Sequence, residues 1–274
     1  MEGNANGRVA EWAERIVVRD GVRLSCRDWG GDGPAVVLLH GLAGHAGEWD
    51  AAARQLSSRH RVVAVDQRGH GASERHPGDV SRAAYVADVL AVADQLELGP
   101  RFAVVGQSLG GHTAMLAAAA HPARVRALVL VEAGPGEGSP DLLSEIGGWF
   151  DSWPRPFPTR EEAVAFLGGG PVGEGWAAGL EERDGGWWPR FDAGTMVRSL
   201  EENARRSWWE EWERVACPTL AVIGQNGIVD GAEAGEMLRR RPETVAVSVP
   251  GAGHDVHLER PDVLDGLLAE FLAP

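Results

Sequence analysis

The stretch Gly106-Gln107-Ser108-Leu109-Gly110-Gly111 sets a serine among small residues, directly after the apolar run Phe102 to Val105 and at the start of an apolar helical stretch. A sharp strand-to-helix turn strains the serine's backbone, admits only small neighbours, and lifts the hydroxyl above the sheet beside a helix N-terminus that favours negative charge. Ser108 is therefore the candidate nucleophile. A glycine-rich turn with a helix-capping serine is the plainer alternative, and the flanking strand and helix argue against it. Gly251-Ala252-Gly253-His254 follows the last strand-like run and carries a histidine on a loop of small residues. Of the nine histidines, His254 is the best placed to serve as general base. His40-Gly41-Leu42-Ala43 closes another apolar strand, where a loop lies beside the serine turn. The amides of Leu42 and Leu109 then form the expected oxyanion hole, with His40 and Gly41 expected on the pocket wall. His70 reads as part of a structural turn and His257 as a packing residue. No metal site is expected, because the His254 and His257 spacing is a weak match to a ligand pair.

These groups need a frame. Short apolar runs without alternation, Ala35 to Leu39, Val62 to Val65, Phe102 to Val105 and Ala127 to Val131, predict parallel strands buried on both faces. Between them lie helix-like stretches. Tyr85 to Leu98 has an apolar stripe at helical spacing and stops at Gly99-Pro100, and Ser108 to Ala120 stops at His121-Pro122. The pattern resumes after Cys217-Pro218 with Thr219 to Ile223, a helix near Ala232 to Arg240, Val245 to Val249, and a closing helix Pro261 to Leu272. Ahead of it all, two alternating segments between Arg15 and Trp29 flank Asp20-Gly21, a hairpin signature. The sum is an α/β fold with repeated βαβ units.

Pro135 to Arg214 breaks the rhythm. This segment holds Trp149, Trp153, Trp176, Trp187, Trp188, Trp208, Trp209 and Trp212, eight of the chain's 11 tryptophans. It is read as an inserted helical cap spanning 135–214, between core segments 1–134 and 215–274. So much indole cannot all face water, so an aromatic interior or an aromatic groove is expected. Trp149, Trp153, Trp187 and Trp188 are the named pocket candidates, with a tryptophan-rich cap core as the alternative.

With a net charge of −14 the surface repels nucleic acid and anionic membranes, so neither is an expected partner. The chain has no lysine, which removes Schiff-base chemistry and the phosphate-gripping lysine of a P-loop. Two well-separated cysteines, and an opening Met1 to Trp12 without a signal pattern, predict a reduced, cytoplasmic protein. The apolar runs are too short to span a bilayer.

Four motifs occur in one order: His40-Gly41, Asp66-Gln67-Arg68-Gly69-His70-Gly71-Ala72-Ser73, the Ser108 turn and Gly253-His254. In this the chain resembles the α/β-hydrolase superfamily. The resemblance implies a mostly parallel eight-stranded sheet with helices on both faces, a site at its carboxyl edge, a helical cap, and a nucleophile–acid–histidine triad without a cofactor. One departure stands out. Many relatives carry the acid three residues past a glycine after the strand matching Thr219 to Ile223, and here Gly224-Gln225-Asn226-Gly227 places glycine there. Two carboxylates remain. Glu132, directly after Ala127 to Val131, resembles the placement in haloalkane dehalogenases and some lactone hydrolases. Asp230 lies later on the customary loop. Position favours Glu132, since a carboxylate closing an apolar strand beside the nucleophile strand has no packing reason to be there.

The expected chemistry is hydrolysis of a carboxylic ester or lactone of a bulky apolar or aromatic small molecule through an acyl-enzyme. Serine at the turn argues against epoxide and haloalkane hydrolysis, for which relatives use aspartate. C–C hydrolysis of a β-diketone, thioester hydrolysis and perhydrolase or haloperoxidase-like chemistry use the same groups. A ligand-binding homologue without turnover is the non-enzymatic alternative.

Overall fold

The structure, a computed structural model, describes residues 11–139 and 141–273, so most of the opening stretch read for a signal pattern lies outside the described residues. The chain begins with β1 (Ala13–Arg19) and β2 (Val22–Gly30), paired antiparallel. The Asp20-Gly21 turn joins them with φ of 50° and 79°, the left-handed pair that a two-residue hairpin requires. Then follow β3 (Ala35–Leu39), α1 (Asp50–Leu56), β4 (Arg61–Val65), α2 (Arg82–Gln95), β5 (Phe102–Gln107), α3 (Leu109–Ala120) and β6 (Val125–Val131). An insertion carries α4 (Leu142–Asp151), α5 (Arg160–Phe166), α6 (Gly170–Ala177), the hairpin β7 (Glu181–Arg183) with β8 (Gly186–Trp188), α7 (Ala193–Ser199) and α8 (Trp209–Arg214). The chain closes with β9 (Thr219–Gly224), α9 (Gly231–Arg240), β10 (Val245–Val249), α10 (Val256–Glu259) and α11 (Pro261–Phe271).

Eight strands form one sheet in the order β1-β2-β4-β3-β5-β6-β9-β10. Every pair from β4 to β10 is parallel, and β1 and β2 are antiparallel additions. All residues of β3 and β5 are buried, as the unbroken apolar runs predict. Successive side chains serve opposite faces. Val37 and Leu39 enter a cluster with residues of α2, α3 and α8, whereas Val36 and Leu38 enter one with residues of α1 and α11. Parallel strands put all their carboxyl ends at one edge, so the loops after β3, β5, β6, β9 and β10 converge there.

Two features of the insertion differ from the sequence reading. It is not wholly helical, since Asp184-Gly185, with φ of 51° and 75°, turns the β7–β8 hairpin. Its last helix, α8, packs on α3, with Trp208 and Trp212 in the main core cluster and Trp209 against it. Trp212 donates its indole N–H to the Met237 carbonyl at 3.0 Å, which ties α8 to α9. The aromatic cap interior is instead built by Phe150, Trp153, Phe157 and neighbours.

Candidate active site

Ser108 sits between β5 and α3 with φ 50° and ψ −117°, the strained conformation that the small-residue pattern predicts. Its backbone N–H donates to Val131 at 3.0 Å, and its carbonyl accepts from His112 at 2.9 Å. The flanking glycines are required by close approach. A Cβ on Gly106 would lie 2.2 Å from the Gly110 carbonyl oxygen, and one on Gly110 would lie 2.4 Å from the carbonyl oxygens of Leu39 and His40. The turn can therefore stay this tight only with glycine on both strand and helix.

Glu132 follows β6 in a left-handed conformation, φ 51°, which turns its side chain back under the next loop. The carboxyl is fully buried. Oε1 accepts the Gly224 N–H at 2.7 Å, Oε2 accepts the Ile228 N–H at 2.6 Å, and Oε2 lies 3.4 Å from His254 Nδ1. Position 227 and the Glu132 carboxyl are close neighbours. A Cβ on Gly227 would stand 2.1 Å from Glu132 Oε2, so a side chain there and the Glu132 carboxyl compete for one space. Asp230 is occupied elsewhere, as the exposed N-cap of α9, with Oδ1 accepting from Glu233 N at 2.8 Å. It does not line the cavity containing Ser108 and His254.

His254 is half-buried, and its loop is held by groups around it. The Gln107 side chain donates to the His254 carbonyl at 3.1 Å, and Glu259 accepts the Gly253 N–H at 2.9 Å. A Cβ on Gly41 would come within 2.1 Å of Gln107 Oε1, so the same glutamine also packs against the loop after β3. Gln107 was not singled out from sequence. Its signal was a polar residue closing a buried apolar run beside the candidate nucleophile.

Leu42 and Leu109 both line the cavity, and neither backbone N–H donates to another group among the described residues. Their loops are set from behind. His40 Nε2 accepts the Gln67 N–H at 3.0 Å, His40 Nδ1 donates to the Gly41 carbonyl at 2.7 Å, and the Gln67 side chain donates to the His40 carbonyl at 2.6 Å. Burial holds the imidazole neutral, with its pKa lowered to about 3. His70 is likewise buried, with its pKa lowered to about 3 by burial, and Nδ1 donates to the Arg68 carbonyl, in keeping with a structural turn.

The cavity measures about 670 Å³ and lies between the sheet edge and the insertion. Ser108, His254, Glu132, Leu42, Leu109 and Trp149 reach it. Five named pocket candidates do not. His40 and Gly41 are buried behind the wall, because the loop needs them for its own hydrogen bonds and packing. Trp153 is 5% exposed and makes edge contacts within the cap interior, with Phe157 and Phe191 among its partners. Trp187 packs into the same cluster from the hairpin, and Trp188 lies over Arg183 with its indole N–H on the Arg183 carbonyl. Trp176 takes a place on the wall that the named set omitted, and its indole donates to Asp255 Oδ2 at 3.2 Å. His257, read as packing, is buried against Trp49 and bonded to Glu48 Oε2 at 3.2 Å.

A sheet of this order with a strained serine at the end of its fifth strand defines a hydrolase architecture, and the family comparison agrees. Residues 36–265 match the model of the alpha/beta hydrolase family, and the chain belongs to that family. Among curated proteins it is 30% identical over 255 residues to the sn-1-specific diacylglycerol lipase ABHD11 of Mus musculus, covering 88% of this chain and 81% of that protein. It is 26% identical over 250 residues to a 2-(acetamidomethylene)succinate hydrolase of Mesorhizobium japonicum, covering 88% and 89%. Among solved structures, E-2-(acetamidomethylene)succinate hydrolase superposes with a TM-score of 0.87 at 25% identity, covering 96% of this chain and all of that one. No helix among the described residues is long and apolar enough to cross a membrane.

Proposed function

We propose that the protein is a serine hydrolase that cleaves a carboxylic ester or lactone of a bulky apolar or aromatic small molecule. The observation that carries this reading is the meeting of Ser108, His254 and Glu132 at one cavity, with the Glu132 carboxyl pinned by two amides beside His254 Nδ1. In the proposed cycle His254 donates its Nδ1 proton in a hydrogen bond to Glu132, which leaves Nε2 as the base. Ser108 Oγ attacks the acyl carbon as Nε2 takes its proton. The carbonyl oxygen gains charge facing the amides of Leu42 and Leu109. The protonated imidazole then gives its proton to the leaving alcohol, and water, deprotonated by His254, releases the acid. Glu132 stabilises the imidazolium in both halves.

The wall supports a bulky apolar substrate, since Leu42, Leu142, Ile146, Trp149, Trp176, Leu200, Ile228 and Val229 lie along it. The test is a fluorophosphonate probe followed by peptide mapping, alongside ester and lactone panels. A mass increment on Ser108 together with ester or lactone turnover is the expected result. Turnover of β-diketones alone would reassign the reaction to C–C cleavage. Labelling without any turnover would favour the binding homologue.

A further inference from the structure

The charge on the cavity wall has one sign. Among its lining residues are Glu132, Glu137, Glu145, Glu233 and Asp255, and no arginine is among them. The chain has no lysine to take that place. Elsewhere the protein pairs its carboxylates with guanidinium groups, as in Arg68 with Asp88, Arg75 with Glu181 and Arg206 with Glu211. None of the five cavity carboxylates has an arginine partner among the described residues. Glu132 is bonded to amides and His254, Glu233 accepts the Gly136 N–H, and Asp255 accepts the Trp176 indole. Glu137 and Glu145 are exposed at the insertion side.

Two further features share that wall. Trp149 and Trp176 stand edge to face, with ring centroids 5.6 Å apart, and both line the cavity. Glu145 lies one helical turn before Trp149 on α4, which puts a carboxylate and an indole on one side of the helix. His112, one turn into α3 from Ser108, is 4% exposed, lines the cavity and has no partner for either ring nitrogen. Burial, with the nearby Arg82 and Arg206, pushes its pKa well down, so it brings no positive charge to the wall. Burial also raises the Glu233 pKa.

We infer that this cavity selects by charge, favouring esters that carry an ammonium group and turning away esters that carry a carboxylate. This rests on the hydrolase reading given above and names the substrate class of that same site. A carboxylate entering would meet like charge with no counter-ion on the wall. An ammonium would meet carboxylates that have no guanidinium partner and two indole rings, the combination that binds organic cations.

The experiment uses three esters of one acyl group that differ only at the far end of the alcohol: trimethylammonium, its neutral tert-butyl isostere, and a carboxylate. The expected kcat/KM order is ammonium, neutral, carboxylate, with about tenfold between the neutral and carboxylate compounds at low salt and a smaller ratio at high salt. Glu137→Gln with Glu145→Gln should narrow the spread. A carboxylate ester cleaved as well as the neutral one, or an ammonium ester cleaved less well, overturns the inference. Ser108→Ala is run with all three. If it keeps their turnover, the failure belongs to the nucleophile assignment and not to the charge selection, which the unaltered protein reports separately.

Discussion

The sheet edge and the insertion meet at one cavity, yet they are built by different rules. On the sheet side each residue of the proposed triad is held by backbone hydrogen bonds or close packing: Ser108 by its tight turn, Glu132 by the Gly224 and Ile228 amides, His254 by Gln107. On the insertion side the wall is made of side chains on short helices, and the interior behind it is a cluster of aromatic edges. Main-chain hydrogen bonds constrain position more tightly than apolar contact does. The sheet side should therefore tolerate almost no change in chemistry, and the insertion should tolerate change in shape.

The largest effect that tests this contrast is at the nucleophile. Ser108→Ala and His254→Ala should each lower kcat by roughly 10⁴-fold or more, and the double variant should be no worse than either. Near-normal turnover in either single variant sinks the assignment. Next come the two carboxylates. Glu132→Gln should lower kcat by roughly 10³-fold or more with KM little changed, because the imidazole loses the group that sets its tautomer. Asp230→Asn should leave kcat alone, since Asn is also a good N-cap, while Asp230→Ala should cost about 1 kcal/mol of stability. A crippled Asp230→Asn with an active Glu132→Gln would reverse the choice.

Within the insertion the contrast is between two indoles. Trp153→Ala should lower stability by about 3 kcal/mol and leave the preference between short and aromatic esters unchanged. Trp149→Ala should do the opposite, shifting preference at a stability cost of under about 1 kcal/mol. Melting curves and a two-substrate kcat/KM ratio separate them, and equal behaviour of the two variants would erase the distinction between wall and interior.

Away from the cavity, the contrast reaches the pH dependence of stability. Burial pushes Glu48 up to about 8 and its partner His257 down to about 4. Between about pH 6.5 and 8 the folded protein keeps a Glu48 proton that the unfolded chain has released, while His257 is neutral in both. Stability therefore falls as pH rises through that window, by at most about 1.4 kcal/mol per unit. Glu48→Gln should flatten the fall in denaturant titrations at pH 6.5 and 8. Parallel profiles for the two proteins would show that the pair carries no such linkage.

The sequence was readable where one local rule decides the outcome. Short apolar runs without alternation, bounded by turn residues, became buried strands, and the serine among glycines between strand and helix became a tight turn. Glu132 was visible for the same reason, as a carboxylate closing such a run opposite a glycine at 227. The insertion hid its arrangement because the contacts that sort its tryptophans come from residues distant in sequence. Trp212 faces Met237 and Trp176 reaches Asp255, and no spacing within 135–214 reports either. Even Asp184-Gly185 repeats the turn signature of Asp20-Gly21, but the flanking Glu181-Glu182-Arg183 lacks the apolar alternation that made the first hairpin legible.

The crowding at position 227 bears on ancestry. On the proposed triad, a lineage moving the acid between the strand ends beside His254 has two changes to make, one at 132 and one at 227. Placing aspartate at 227 first drives its Cβ to within 2.1 Å of an oxygen already there, with a second negative charge in the same hollow. Removing Glu132 first leaves His254 without its carboxylate. The two placements of the acid therefore exclude one another in this hollow, so an aspartate at 227 fits only once Glu132 is shortened or turned away.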